Sequence, residues 1–88
     1  MKNSLNATQA NLISCAKTQL HNVVYGHKCE NKAWYTEIMK LTSKLTVKNV
    51  NKQSVAYLIA KTAGWNDVVV ILEYVENTLQ TIEKLNSL

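Results

Sequence analysis

An all-α architecture follows from three features of this 88-residue chain. It has no Pro and only two Gly, its apolar residues recur every three or four positions, and its length fits one domain. A β-sandwich or barrel needs many tight turns, and Gly26 and Gly64 are too few to make them. Hydrophobic residues form 47% of the chain, too many for a disordered tail. No segment has the ~18 consecutive apolar residues of a membrane helix. The expectation is a compact single-domain four-helix bundle over residues 1–88 with a long C-terminal helix.

The first helix is expected over about residues 4–25. Leu5, Leu12, Ile13, Ala16, Leu20, Val23 and Val24 make one apolar face. Ser4 is the expected N-cap and Gly26 the expected left-handed C-cap, with a loop over 27–31. The second helix is expected over about 31–46, with Trp34, Ile38, Leu41 and Leu45 on one side. Asn49 and Asn51 around Val50 read as a loop. A short third helix over about 52–63 should turn Val55, Leu58 and Ile59 inward and stop at Gly64.

The fourth helix is expected over about 66–86. Trp65, Val68, Leu72, Val75, Leu79 and Ile82 keep a heptad rhythm. The run from Val68 to Leu72 is apolar on every side, which suggests burial on every side. Its β-branched residues would also suit a strand, but no partner strand exists elsewhere, so it reads as helix.

Ten Lys, no Arg and six acids give a net charge of +4. The acidic part is the C-terminal helix, with Asp67, Glu73, Glu76 and Glu83 against Lys84 alone. A basic body with an acidic C-terminal helix suggests an anionic partner, or self-association of unlike surfaces. Bidentate reading of guanine is mainly an Arg function, and Lys serves as a point charge for phosphates. A Lys-only, Asn-rich composition fits an AT-rich coding genome, such as many phages or low-GC bacteria have, and a phage or other mobile element is the expected origin. The N-terminus is too polar for a signal peptide, so Cys15 and Cys29 are expected as free thiols in a cytoplasmic protein, with a Cys15–Cys29 disulfide as the alternative.

Five features bear on function. Ala60 and Gly64 stand four apart, as in the turn of a DNA-reading helix pair, with Val70 at the next core position. The helix that follows offers Asn66 and Asp67 and then aliphatics, a poor reader of base edges, so an ordinary corner is expected. Lys28, Lys32, Lys40, Lys44, Lys48 and Lys52 stand four or eight apart and could track phosphates or face only solvent. Cys15, His21, His27 and Cys29 are zinc-type residues, but their spacing matches no finger or ribbon. A buried Cys15, an exposed Cys29 and two surface histidines are expected, and no metal or cofactor. No phosphate-cradling Gly loop, Ser nucleophile elbow or His-Glu metal pair is present. Glu73, Glu76 and Glu83 share a side of the last helix and read as a solvated rim, so no enzyme is expected. Finally, Tyr35 and Met39 on the second helix, and Val70, Ile71, Tyr74 and Leu85 on the fourth, exceed what an 88-residue monomer easily buries. Tyr57 and Tyr74 are expected on one side of the corner between the last two helices.

These features together suggest a small non-enzymatic protein that binds a larger protein with an acidic surface, as an inhibitor of a host complex would, and that also self-associates. The expected contact is Tyr35 and Met39 rimmed by Lys40, Lys44 and Lys48. A nucleic-acid-binding regulator using the same lysines and a degenerate helix-turn-helix is the alternative.

Overall fold

The computed structural model describes residues 2–47, 50 and 55–87, with side chains from Asn6 onward. Four helices, α1 (Lys2–Tyr25), α2 (Lys32–Ser43), α3 (Val55–Ala63) and α4 (Asn66–Ser87), form an all-α bundle. No strand occurs among the described residues. The helices touch in a ring: α1 meets α4 and α2, and α3 meets α2 and α4. Helices α2 and α4 therefore sit on opposite corners. The two long helices set the long axis of a 44 × 19 × 16 Å body.

Helix α1 starts two residues before the expected boundary, so Ser4 lies inside its first turn and does not cap it. Ile13, Ala16, Leu20 and Val24 are buried, with Leu12 and Val23 packed beside them. The side chain of Leu5 lies outside the described residues. Gly26 follows the helix without a positive φ, so the left-handed cap expected there does not form. The chain leaves α1 through tight turns instead, with Gly26 N–H donating to Val23 O (3.1 Å) and His27 N–H to Val24 O (2.8 Å).

Asn31 caps α2 in extended backbone, and its side chain accepts from Trp34 N–H at 3.1 Å. That satisfies one of the donors a helix N-terminus leaves over. The helix stops at Ser43, before the expected boundary, and Leu45 and Val50 beyond it are buried in the core.

The inward face of α3 differs from the expectation. Ala56, Tyr57 and Ala60 are buried, whereas Val55 and Leu58 are 54% and 52% exposed. Small Ala56 and Ala60 let the helix approach its neighbours closely, and Tyr57 fills the space beside them. The helix ends in a complete Schellman motif. Gly64 has φ +76°, Trp65 N–H donates to Ala60 O (2.9 Å), and Gly64 N–H donates to Lys61 O (3.2 Å).

Helix α4 is helical throughout, including the β-branched run, and Trp65, Val68, Leu72, Val75, Leu79 and Ile82 are all buried as the heptad pattern predicts. The helix is not wrapped on every side, because its neighbours α1 and α3 cover one face only. Val70 is 62% exposed, so it is not the core residue that the helix-turn-helix pattern requires. Tyr57 is buried and Tyr74 is 64% exposed, so the two do not share a surface. Glu76 is buried and does not belong to a solvated rim, because it borders the Leu72/Leu79 seam. His27 just after α1 meets Asp67 at the start of α4, and Asn86 near the other end of α4 reaches Asn6 at 3.5 Å, so the two long helices run antiparallel.

Candidate functional site

The connection between α1 and α2 presents the most distinctive chemistry of the molecule. Successive short-range hydrogen bonds hold it in place: Lys28 N–H to Tyr25 O at 3.3 Å and Glu30 N–H to His27 O at 3.0 Å. His27 turns inward, while Lys28 and Cys29 stay in solvent.

On the inner side, the His27 ring stacks on Trp65 with centroids 4.6 Å apart. Its Nε2 meets Asp67 Oδ1 and Oδ2 at 2.9 and 3.0 Å. Its Nδ1 lies 3.1 Å from Glu30 Oε2, in a charge contact too bent for a good hydrogen bond. The same Glu30 oxygen accepts from Trp65 Nε1 at 2.6 Å. Partial burial of the imidazole disfavours its charged form. The hydrogen bond and charge of Asp67, joined by the close carboxylate of Glu30, outweigh that cost and raise the His27 pKa above its ordinary value. Both ring nitrogens face carboxylates and one ring face is covered by an indole, so no nitrogen points to a ligand. The cluster ties the α1–α2 connection to the start of α4.

On the outer side, Lys28, Cys29, Lys32, Tyr35 and Thr36 line a shallow groove of about 270 Å³. The start of α2 supplies Lys32, with Tyr35 and Thr36 one turn further on at the spacing that sets each over Lys32. Tyr35 is half-buried against the core, and both lysines are exposed. Lys28 Nζ donates to the Tyr25 hydroxyl at 3.0 Å and sits 4.3 Å from that ring's centroid. The hydrogen bond and the nearby ammonium lower the Tyr25 pKa, and the same hydrogen bond raises that of Lys28. Lys28 and Lys32 give the groove a positive edge.

Compared with models of protein families, with curated sequences and with solved structures, the chain matches none.

Of the residues expected at a contact, only Tyr35 lines the groove. Met39 is half-buried one turn further along α2, packed on the core. Lys40 and Lys44 are exposed, and Lys44 closes α2 with its backbone N–H on Leu41 O at 3.1 Å. On the helical wheel both lie more than about 90° from Tyr35, so they do not rim it. Lys48 and Lys52 lie outside the described residues. The lysines that do flank Tyr35 are Lys28 and Lys32. Their four-residue spacing, running on to Tyr35 and Thr36, is the signal that marks the groove in the sequence.

The zinc-type residues disperse. Cys15 and Cys29 are exposed free thiols. Cys15 is not buried as expected, because it lies about 150° round α1 from the buried stripe. Neither histidine is a plain surface residue. His21 is half-buried with Nε2 3.3 Å from Ser43 Oγ, and His27 belongs to the Trp65 cluster. Among the described residues, no group of three or more His, Cys, Asp or Glu could hold a metal ion. No helix among them is long and apolar enough to cross a membrane.

Proposed function

We propose that the protein acts without catalysis, by seating the Lys28–Lys32–Tyr35 groove on an acidic surface of a larger protein. The observation that carries this reading is the half-buried Tyr35 phenol between two exposed lysines. An aromatic anchored in the fold loses little side-chain freedom on binding, and a charged rim steers an acidic partner towards it. The short connection from α1 and the Asn31 cap hold these groups in place before any partner arrives. Stoichiometric inhibition of a larger complex in a cytoplasmic setting is the role such a surface would serve.

Cys29 makes the proposal testable, because its thiol lies in the groove. A photocrosslinker attached to Cys29 in a Cys15→Ser chain should label one protein in a cell lysate. The same crosslinker on Cys15 in a Cys29→Ser chain should not label it. The Cys29 label should vanish in Lys28→Glu/Lys32→Glu, whose exposed side chains can change without unfolding the bundle. Equal labelling from both positions, or labelling that survives the charge reversal, overturns the proposal. Transfer of the label to DNA or RNA favours the nucleic-acid reading, in which labelled-duplex anisotropy falls steeply with salt.

A further inference from the structure

Helix α4 carries two heptad seams. One, from Trp65 to Ile82, is buried in the bundle. The other runs through Val70, Tyr74, Asn77 and Thr81 at four-, three- and four-residue steps, and a further four-residue step reaches Leu85. It lies about half a turn away from the first. Val70, Tyr74 and Leu85 are 62%, 64% and 49% exposed, and Asn77 and Thr81 are exposed between them. An outward helix face in a small basic protein ordinarily carries charge. This one has none between Val70 and Thr81.

We infer that this second seam is where two copies of the chain pair, α4 against α4, antiparallel about a two-fold axis beside Asn77. Three features select this occupant. First, the spacing is that of a helix that packs on another helix, and the apolar residues stand at both ends of the seam. Antiparallel pairing sets Val70 against Leu85 of the second copy and Tyr74 against Thr81. Second, Asn77 falls almost on the axis. A polar residue in the middle of such a seam hydrogen-bonds to its own symmetry mate and fixes register. Third, the flanking charges complement each other under the same operation. Glu73 and Lys84 lie on one shoulder of the seam, and the two-fold keeps that shoulder on one side of the interface. It brings Glu73 of each copy within about 3 Å, along the axis, of the level of Lys84 on the other. Parallel pairing would place the two copies of that shoulder on opposite sides of the interface, and Glu73 would not meet Lys84.

A single helix pair buries less than a standard interface of about 1,600 Å², so the dimer is weak and concentration-dependent. Because α2 occupies the corner opposite α4, the dimer leaves both Tyr35 grooves uncovered. The pairing does not depend on what those grooves bind.

Sedimentation equilibrium of the full chain under reducing conditions, from roughly 10 µM to 1 mM, tests this over the range in which weak interfaces separate. A reversible monomer–dimer equilibrium is expected. Tyr74→Glu should raise the dissociation constant at least tenfold and leave the helical circular dichroism unchanged, since Tyr74 is exposed. Glu73→Lys alone should weaken the dimer, and Glu73→Lys with Lys84→Glu should restore it. In a Cys15→Ser/Cys29→Ser background, Asn77→Cys should form a disulfide-linked dimer on oxidation. Val70→Cys should not, because two copies of residue 70 would stand about 22 Å apart along the axis. A chain that stays monomeric at 1 mM, or a dimer indifferent to Tyr74→Glu, overturns the inference. So does efficient crosslinking of Val70→Cys.

Discussion

The His27 imidazole lies nearly flat on the Trp65 indole, with ring centroids 4.6 Å apart and planes inclined by 17°. The two residues are far apart in sequence, one just after α1 and the other just before α4. Their contact closes the end of the bundle where the two long helices begin and finish. Asp67 and Glu30 complete the contact from α4 and from the α1–α2 connection.

This arrangement makes stability depend on pH. The unfolded His27 titrates near the ordinary value of about 6.5, and the folded pKa is raised. The folded state therefore holds the proton more tightly. The cluster's contribution is complete below about pH 6.5 and is lost as pH rises through the folded pKa. The groups facing the ring are Asp67, Glu30 and Trp65, with Lys28 and Cys29 adjacent on the solvent side. Thermal melts at about pH 6 and pH 8.5, on either side of the ordinary histidine value, should show a higher Tm at the lower pH. His27→Gln should reduce that difference, and an equal difference in both chains would remove His27 as its cause. By NMR titration, Asp67→Asn should lower the His27 pKa.

Trp65 is 2% exposed and packs its ring while its Nε1 donates to Glu30. Trp65→Phe should cost about 1 kcal/mol for the lost hydrogen bond to a partly exposed carboxylate. Trp65→Ala should cost about 3–5 kcal/mol, because the indole also fills core volume. Urea denaturation separates the two, and similar losses would mean that ring packing contributes little.

Gly64 and Gly26 should respond differently to alanine. Gly64 has φ +76° and nothing within 4 Å of an added Cβ, so Gly64→Ala meets backbone strain alone. A loss of about 1–2 kcal/mol is expected, and Gly64→Asn should recover part of it. Gly26 has no positive φ, and an added Cβ would approach Val23 O at 3.2 Å. A shift of a few tenths of an ångström relieves that contact, so Gly26→Ala should cost less than Gly64→Ala in a denaturant titration.

Neighbouring residues on α3 give the simplest test of the packing. Tyr57 is 8% exposed and Leu58 is 52% exposed. Tyr57→Ala should destabilise by about 3 kcal/mol or more, as large aromatic truncations in cores do. Leu58→Ala should stay within about 0.5 kcal/mol, the usual range for a surface site. The reverse order in thermal melts would turn α3 over.

The helices were legible because each carries its own local signal. The seam from Trp65 to Ile82 and the Gly64 stop act between residues less than two turns apart, and both stand as read. The inward face of α3 was not legible. Val55, Tyr57 and Leu58 are all apolar, and nothing within so short a helix says which of them meets α2 and α4. The grouping of Tyr35 with Lys28 and Lys32 was only half visible. The lysine spacing was visible, but the sequence expectation groups Tyr35 with Lys40, Lys44 and Lys48, and its nearness to Lys28 depends on the connection after α1 continuing to turn like a helix.

By itself the sequence determined what periodicity and stop signals can encode: four helices, their order, and the buried seam of the last one. The tertiary structure decided which residues separated in sequence meet. It stacked His27 on Trp65 between two carboxylates, exposed Cys15, buried Glu76, and left Val70 and Tyr74 outside. The physical reason is that helix formation is settled by hydrogen bonds and side chains within a turn or two. Which face is covered depends on how many neighbours a helix has, and in this bundle each helix has two.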